Sequence, residues 1–416
     1  MSMLQVKPFV PGTARGILCR GYRAASFDNI LMLTQQELAV LDIRPSGIMV
    51  IDAAPLSHPM IRLLSLGIPT VLLTSETASK LEPGEEVVID GFQGTIITSP
   101  DAGLEAMPAP EPPQAGAAIA LNDGSHVFLR ASNFNSDYAA MAVQQGAAAI
   151  GLVRTEFLLP EQGEPPDAAF YESTLRELCN RASPLAVTLR LLDIAPDKQV
   201  PWLKPLAGIS SPLGMQGVRL YDVEPVRGVL TALLDAIDKV AEDYELKLLL
   251  PYVTSLDEFS YWRSRIEQQL HKDLPIGAMA ESPAAILAMP HWFEVADFVS
   301  IGCNDLMQCL FAADRDLAEV GRYLDPYSPE LFRFLNLAAE TAGDNIDSVQ
   351  LCGLLPQLPA VFPVLLGMGF RVFSVAPVMV PHLAKIAGEV SLPLAEELVQ
   401  QVCMAKNSAQ VRGLLK

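Results

Sequence analysis

Polar and charged side chains recur where apolar runs of the sequence end. Arg154 and Arg190 each lie near the end of a strand-like run, and Glu281 follows the run LPIGAMA. The stretch SIGCNDLMQCL, residues 300–310, passes from an apolar run directly into Asn304 and Asp305. Guanidinium groups match phosphate or carboxylate oxygens, and two carboxylates with room for water suit Mg²⁺ better than Ca²⁺ or Zn²⁺. These residue types predict a site for a multiply charged anion and a magnesium ion.

Each of these side chains also has a purely structural explanation. Arg315, in FAADRD, is a third arginine downstream of the Asn-Asp pair. Any one of the three arginines could instead pair with a neighbouring carboxylate, such as Glu156, Asp193 or Asp314. Asp305 could cap the helix that LMQCLFAAD predicts. We favour a role in ligand binding over ion pairing, because all three arginines lie near or after the end of a strand-like run.

Two further residues are candidates for proton and phosphoryl chemistry. Cys352 follows the run VQL and precedes a glycine. Most cysteines on apolar strands are inert core residues, but a thiol at a catalytic mouth can protonate a carbanion or enolate. His58, in APLSHPMIRLLSLGIP, lies near a predicted helix start. A neutral imidazole is a competent nucleophile towards phosphorus, although a lone histidine is more often structural.

The elements that would position these residues form an alternating pattern in the C-terminal part of the chain. Eight strand-like runs, with helical patterns between most of them, fill roughly 290 residues and predict a (β/α)8 barrel. The alternative is a doubly wound open sheet. A barrel places its chemistry at the C-terminal ends of its strands. The predicted strands cover residues 126–132, 149–154, 186–193, 246–253, 274–281, 296–302, 349–353 and 370–377.

The N-terminal part predicts a smaller α/β domain. Residues 46–99 contain GIMVI, a helical SHPMIRLLSLG, IPTVLLT and a hairpin made of EEVVIDG and GTIITSP. The proline- and alanine-rich stretch that follows is typical of an extended linker. We therefore predict a small domain over residues 1–104, a linker over 105–122 and the barrel over 123–416.

Composition restricts the function further. The formal net charge of −19 disfavours binding to nucleic acid or to anionic lipid surfaces. No run is long enough to span a bilayer, and the N-terminus lacks a signal-peptide pattern, so we expect a cytoplasmic protein. The six cysteines lack C-x-x-C spacing and predict free thiols, and five histidines without metal-ligand spacing make a zinc site improbable.

Taken together, these stretches resemble the phosphoenolpyruvate-utilising enzymes, a family that includes enzyme I of the sugar phosphotransferase system, pyruvate phosphate dikinase and phosphoenolpyruvate synthase. The resemblance covers most of the chain and rests on motifs in the family's order. SHPMIRLLSLGIPTVLL and EPGEEVVIDGFQGTI are similar to the family's swivelling phosphohistidine domain, with His58 at the phosphorylated position. The barrel motifs are GAAAIGLVRTEFLL, VTLRLLDIAPDK, GAMAESPAA, SIGCNDLMQCLFAADR and LCG.

The resemblance implies a role for each matched residue. Phosphoenolpyruvate and Mg²⁺ would bind in the barrel, with Glu281 and Asp305 on the metal. Arg154 and Arg190 would hold the phosphate, with Lys198 and Arg219 nearby, and Asn304 and Arg315 would hold the carboxylate. His58 would attack phosphorus, and Cys352 would protonate the enolate to give pyruvate. The expected acceptor is a separate protein or nucleotide-binding partner, because the sequence contains no ATP-grasp domain and no carrier-docking domain. The family also implies a homodimer through the barrel.

Departures from the family pattern leave two alternatives open. The loop before His58 reads AAPLSHP, with Ala53, Ala54 and Leu56 where the family has two glycines and a threonine, and Pro59 follows the histidine. A regulatory protein that binds phosphoenolpyruvate or pyruvate without turnover would fit this loop. Other magnesium-dependent enolate chemistry, such as carbon–carbon lysis, would use the same barrel residues. In addition, Gln216 replaces a common arginine, Leu354 replaces a glutamate, and Ala195-Pro196 replaces a glycine pair.

Overall fold

The computed structural model describes residues 2–21, 28–38, 41, 43–100, 110–133, 135–160, 163–194, 202–203, 213–317 and 319–415. They form two compact units. The smaller unit comprises Met1–Glu111 and Ala313–Leu324, and the larger comprises Pro112–Ala312 and Asp325–Lys416. Within the described ranges, no helix has both the length and the apolar character needed to cross a membrane. All six cysteines are described and free, as the sequence predicts.

The smaller unit is built on a mixed sheet. Its central strands β3 to β6 are parallel, while β7, β8, β1 and β2 pair antiparallel at the two sides, in the order β1-β8-β7-β3-β4-β5-β6-β2. The predicted hairpin is confirmed, with Asp90 opposite Thr95. The strands are β1 Ser2–Gln5, β2 Lys7–Val10, β3 Thr13–Arg20, β4 Asn29–Thr34, β5 Gly47–Ile51, β6 Thr70–Leu73, β7 Glu86–Asp90 and β8 Thr95–Thr98.

The helices of the smaller unit are α1 Gln35–Leu38, α2 His58–Leu66 and α3 Ser75–Ala78. Helix α2 begins directly after Ser57 and ends at Gly67, whose left-handed conformation is typical of a helix C-terminus. Its apolar residues at helical spacing, Met60, Leu63 and Leu64, are buried. The sequence therefore places His58 in the first turn of an amphipathic helix.

The larger unit contains the predicted barrel. Among its described residues, eight parallel strands run in chain order from β10 to β17, and β10 pairs with both β11 and β17, which closes the barrel. All eight predicted strands are confirmed, and the open-sheet alternative is wrong. The strands are β9 Ile119–Ala120, β10 His126–Asn133, β11 Ile150–Arg154, β12 Val187–Arg190, β13 Leu246–Leu250, β14 Ile276–Ala280, β15 Val299–Gly302, β16 Val349–Cys352 and β17 Val372–Val375.

Helices surround these strands, and polar caps fix several of their starts. Ser255 accepts a hydrogen bond from the backbone of Glu258, and Asp167 and Ser282 cap the helices that follow them in the same way. The helices are α4 Ser136–Gln144, α5 Ala168–Ala182, α6 Val226–Val240, α7 Leu256–Gln269, α8 Pro283–Leu287, α9 Met289–Trp292, α10 Cys303–Phe311, α11 Pro329–Ala342, α12 Phe362–Gly367, α13 Val380–Glu389, α14 Leu392–Met404 and α15 Ser408–Leu414.

Candidate active site at the barrel mouth

The two predicted phosphate-binding arginines lie side by side at the C-terminal ends of neighbouring strands. Arg154 ends β11, Arg190 ends β12, and the two residues are opposite each other in the strand register. Because directly opposite residues of parallel strands point to the same face, both side chains belong to one side of the sheet. The structure thus brings together residues that lie 36 positions apart in the sequence.

Arg190 forms ion pairs with neighbouring carboxylates, which is the alternative to ligand binding that the sequence left open. Its Nη2 contacts a carboxylate oxygen of Glu156 and lies 2.9 Å from Asp193 Oδ2. Burial lowers the pKa of the guanidinium, but Asp193, Glu156, Glu281 and Asp305 raise it by more, so the pKa lies above its ordinary value. These pairs do not use every donor, since Arg190 Nε is buried without a hydrogen-bond partner. Arg190 is therefore a rigid, permanently charged group close to both predicted metal ligands.

Glu281 is the most unusual carboxylate of the site. It is 1% exposed, and its Oε1 accepts a hydrogen bond of 2.8 Å from the backbone N–H of Tyr252. Its Oε2 is buried without a partner. Burial and the neighbouring Asp305 raise the pKa of Glu281 well above its ordinary value, although Arg190 and the Tyr252 N–H act in the opposite direction. A buried carboxylate in this state requires a proton or a cation.

Asp305 and Asn304 lie in the first turn of α10. Gly302 occupies the N-cap position of this helix, so the alternative role of Asp305 as the cap is wrong. Asn304 is buried, and its side-chain oxygen accepts a hydrogen bond of 2.9 Å from the backbone N–H of Leu354. This bond fixes the amide of Asn304 at the end of β16. Because Asp305 is the next residue of the same helical turn, both side chains follow directly from the end of β15.

The residues present fit a magnesium ion. Within the described ranges, no three His, Cys, Asp or Glu side chains form a metal-binding group. Glu281 and Asp305 are two carboxylates that interact strongly, and one of their oxygens lacks a partner. Mg²⁺ commonly takes one or two carboxylates and completes its octahedron with water and substrate oxygens. Two carboxylates beside a cluster of arginines match this donor set better than a closed cage would.

Cys352 lies at the same mouth and is protonated at neutral pH. It ends β16, is 2% exposed, and is opposite Gly302 in the register. Burial raises the pKa of the thiol to about 11, while the Ser300 hydroxyl, Arg154 and Arg190 lower it and Glu281 raises it. The thiol packs in a cluster with Leu152, Leu249 and Met279, so it is also a core residue. A buried, protonated thiol next to charged groups is suited to give up a proton.

Sequence reasoning missed Tyr252, which organises one side of the site. It follows β13, and its backbone has a left-handed φ of 53° that turns its N–H towards Glu281. The guanidinium of Arg219 lies over the Tyr252 ring, 5.1 Å from its centroid, and also donates to the carbonyl of Gly214 at 3.0 Å. The position of Tyr252 after a strand was the available signal, but its contribution comes from the backbone and not from a reactive side chain.

The remaining predicted residues belong to the smaller unit or fall outside the described residues. Arg315 is buried and belongs to segment Ala313–Leu324 of the smaller unit, so its contact with substrate stays a prediction. Lys198 lies outside the described residues. In the smaller unit, Ser57 is buried, and its hydroxyl has no hydrogen-bond partner. The backbone N–H of Ala54, in the loop before His58, donates to Gln35 Oε1 at 2.9 Å.

Comparison with known proteins agrees with this geometry. Residues 114–391 match the family described as PEP-utilising enzyme, PEP-binding domain, and residues 30–94 match PEP-utilising enzyme, mobile domain. The chain belongs to the family of phosphoenolpyruvate-utilising enzymes.

Three curated relatives illustrate the similarity. A multiphosphoryl transfer protein of Xanthomonas campestris is 31% identical over 386 residues, which cover 88% of this chain and 46% of the relative. A phosphoenolpyruvate-protein phosphotransferase of Haloferax volcanii is 30% identical over 92% of this chain and 70% of its own length. A protein of the same name from Bacillus subtilis is 28% identical over 86% and 66%. The chain thus spans between about half and about two thirds of the length of these relatives.

Proposed function

We propose that this protein transfers the phosphoryl group of phosphoenolpyruvate to His58 and releases pyruvate. One observation carries the proposal: at the barrel mouth, a buried carboxylate with an unpartnered oxygen, Glu281, lies close to Asp305 and to the guanidinium of Arg190. This arrangement has both the anionic metal ligands and the cationic groups that a phosphate ester of an enol requires.

The barrel residues would bind and orient the substrate. Arg154 and Arg190 would hold the phosphate, Asn304 would hold the carboxylate, and Arg315, Arg219 and Lys198 would supply further positive charge. Glu281 and Asp305 would hold Mg²⁺, which when bound neutralises negative charge on the substrate oxygens. The fixed pairs of Arg190 with Glu156 and Asp193 support this role, because they orient the guanidinium before substrate arrives.

The proposed chemistry has two steps. An imidazole nitrogen of His58 attacks phosphorus, and the bond between phosphorus and the enol oxygen breaks, which leaves the enolate of pyruvate. The Cys352 thiol then gives its proton to the methylene carbon of the enolate, and solvent later returns a proton to the thiolate. A thiol whose pKa is raised to about 11 is in the required protonated form at neutral pH.

Intact-protein mass after incubation with phosphoenolpyruvate and Mg²⁺ tests this proposal. The reaction is quenched without acid, because phosphohistidine is acid-labile, and pyruvate is measured in parallel. We expect one added phosphate and released pyruvate with the wild-type chain, and neither with His58→Ala. Glu281→Gln tests the role of the barrel separately. It keeps His58 and the shape of the side chain at position 281, but we expect that it also gains no phosphate. Added phosphate in His58→Ala would refute the role of His58.

Further features are proposed from the relatives. The name phosphoenolpyruvate-protein phosphotransferase describes transfer to a protein, so we propose a separate phosphoacceptor protein as the partner. We also propose a homodimer through the barrel and a location in the cytoplasm, which the family resemblance and the sequence predict. Light scattering in solution tests the dimer, which a single species of 44.9 kDa would exclude.

A second candidate function is binding of phosphoenolpyruvate or pyruvate without phosphoryl transfer. The loop before His58 favours it, because the N–H of Ala54 is already engaged by Gln35 and Ala54 itself is buried. A loop that presents free backbone N–H groups would bind a phosphoryl group more readily. Calorimetric binding of phosphoenolpyruvate with no added mass and no pyruvate would establish this second function.

A further inference from the structure

A partly buried arginine on β10 takes no part in the proposed substrate contacts. Arg130 lies in the middle of β10, opposite Ser374 of β17, and Ser374 is in turn opposite Cys352 of β16. Arg130 and Cys352 therefore lie at the same register level, two strands apart. Burial lowers the pKa of Arg130, and within the described ranges no carboxylate forms an ion pair with it. A cation that is partly withdrawn from water without such a pair needs another partner.

A series of hydrogen bonds connects Arg130 to the thiol of Cys352. Arg130 Nη1 donates to Gln350 Oε1 at 3.4 Å, and Gln350 Nε2 donates to Ser300 Oγ at 3.2 Å and to the carbonyl of Gly151 at 3.1 Å. Ser300 Oγ lies 3.7 Å from Cys352 Sγ, and the thiol donates to the carbonyl of Ile301 at 3.4 Å. We name Arg130, Gln350 and Ser300 the donor chain.

The direction of the donor chain follows from the chemistry of its members. A guanidinium can only donate, so the amide of Gln350 must turn its oxygen to Arg130 and its nitrogen to Ser300. If the amide were reversed, its N–H groups would face those of Arg130, and its oxygen would face the carbonyl of Gly151. Because the nitrogen of Gln350 donates to Ser300 Oγ, the hydroxyl hydrogen of Ser300 is free to point at Cys352 Sγ. The guanidinium of Arg130 thus orients each donor towards the sulfur.

Gly151 makes the space for this arrangement. A Cβ at this position would lie 2.7 Å from Arg130 Cβ, 2.7 Å from Gln350 Oε1 and 2.8 Å from Ser374 Oγ. Such contacts are too short for any side chain, so Arg130 and Gln350 fill space that a residue other than glycine would occupy. The arrangement is packed, and its members have little freedom to turn away.

We propose that the donor chain positions and polarises the Cys352 thiol, so that the sulfur is stabilised when it gives up its proton. Arg130, Gln350 and Ser300 are positioning residues, since they act through Cys352. The inference rests on the proposed function, in which Cys352 protonates the enolate. Arg154, Arg190, Glu281 and Cys303 also influence this sulfur, and the variants below leave all four unchanged.

Two measurements test the donor chain on the 416-residue chain. The first is the infrared S–H stretching band of Cys352 without substrate, assigned by subtraction of the Cys352→Ser spectrum. We expect this band to move to higher wavenumber in Ser300→Ala and in Arg130→Met, because the S–H bond strengthens when its hydrogen bonding weakens. The second is the exchange of pyruvate methyl protons with deuterated water in the presence of Mg²⁺, followed by NMR.

In the variants of the donor chain, the kcat of pyruvate proton exchange should change and its KM should not. A hydrogen bond to a charged acceptor contributes enough that its loss should slow exchange by about tenfold or more in Ser300→Ala. Arg130→Met should show a smaller decrease, and Arg130→Lys should recover part of it. Ser132→Ala is the matched control, because it removes a hydroxyl that bonds Ser374 at 2.9 Å outside the donor chain, and it should leave band and exchange unchanged.

The outcomes separate the two proposals. An unmoved band and exchange within about twofold of wild type in both Ser300→Ala and Arg130→Met would overturn the donor chain while the proposed function stood. If the band moved in both variants but the wild-type protein did not exchange pyruvate protons, the donor chain would be supported and the role of Cys352 in turnover would be excluded. Arg130→Met removes a partly buried charge that has no carboxylate among its electrostatic partners, so it should fold even if Ser300→Ala does not.

Discussion

Replacing Gly302 with alanine should displace Glu281, the proposed metal ligand, without changing a proposed catalytic side chain. A Cβ at this position would lie 2.6 Å from Glu281 Oε2 and 2.9 Å from Glu281 Cβ. The first contact is about 0.8 Å shorter than the 3.4 Å at which ordinary contact begins, and Glu281 is fully packed, so its carboxylate must move by a comparable distance. Overpacking of this kind typically costs about 1–3 kcal/mol of folding stability.

The larger effect of Gly302→Ala should be on magnesium. A ligand displaced by close to an ångström loses its geometry, and a misplacement of about 1 Å can lower a rate about a hundredfold. We expect Mg²⁺ affinity to fall by at least about tenfold. Urea unfolding with and without Mg²⁺ measures both effects, because tenfold excess of ligand over Kd stabilises a protein by about 1.4 kcal/mol. The wild type should gain this stability, and the variant should not.

Gly388→Ala is the matched control for this prediction. The chemical change is the same, but Gly388 lies in helix α13 and an added Cβ would meet nothing within 4 Å. This variant should gain about 0.5–1 kcal/mol and keep the wild-type response to Mg²⁺. If Gly302→Ala bound Mg²⁺ as tightly as the wild type, the Glu281 carboxylate could not be the metal ligand, and the reasoning from its unpartnered oxygen would fail.

Three further variants probe separate contacts of the site. Glu156→Gln leaves the buried guanidinium of Arg190 without one of its carboxylate partners, and urea unfolding should show a loss of about 3–5 kcal/mol; a loss below about 1 kcal/mol would contradict the buried pair. Asn304→Ala leaves the buried N–H of Leu354 without an acceptor, which should cost about 1–3 kcal/mol and weaken pyruvate binding measured by calorimetry. Cys352→Ser should slow pyruvate proton exchange by about 10²–10⁴-fold while phosphate transfer to the protein continues; unchanged exchange would exclude the thiol as the acid.

The barrel and the charged residues at its mouth could be predicted from the sequence, because both follow from the pattern of short apolar runs and the residues that end them. Each strand is a short apolar run, and parallel strands bring their C-terminal ends to one edge, so Arg154 and Arg190 were expected to meet. The choice between ligand and ion pair for Arg190 could not be made, since Asp193 and Glu156 are near in sequence under either explanation. The structure shows that the pairs exist and that they leave Arg190 Nε unused.

Other parts of the site depend on register or on backbone direction, which a single sequence does not display. Tyr252 acts through an N–H that a left-handed φ turns to Glu281, so its residue type gave no signal. Arg130 and Gln350 are separated by 220 residues and meet only because β10 closes the barrel against β17, which pairs with β16. Interactions of this kind require the closed sheet before they can be recognised.

The two halves of the proposed reaction make separate demands on the chain, and the structure supports them unequally. Enolate protonation needs only barrel residues, and there Glu281, Asn304 and Cys352 are buried and fixed by defined contacts. Phosphoryl transfer also needs the loop before His58, where the N–H of Ala54 is already bonded to Gln35. A chain that kept the first half and lost the second would exchange pyruvate protons but never gain phosphate. Measuring both on the same preparation therefore distinguishes a phosphotransferase from a protein that has retained only the enolate chemistry of its family.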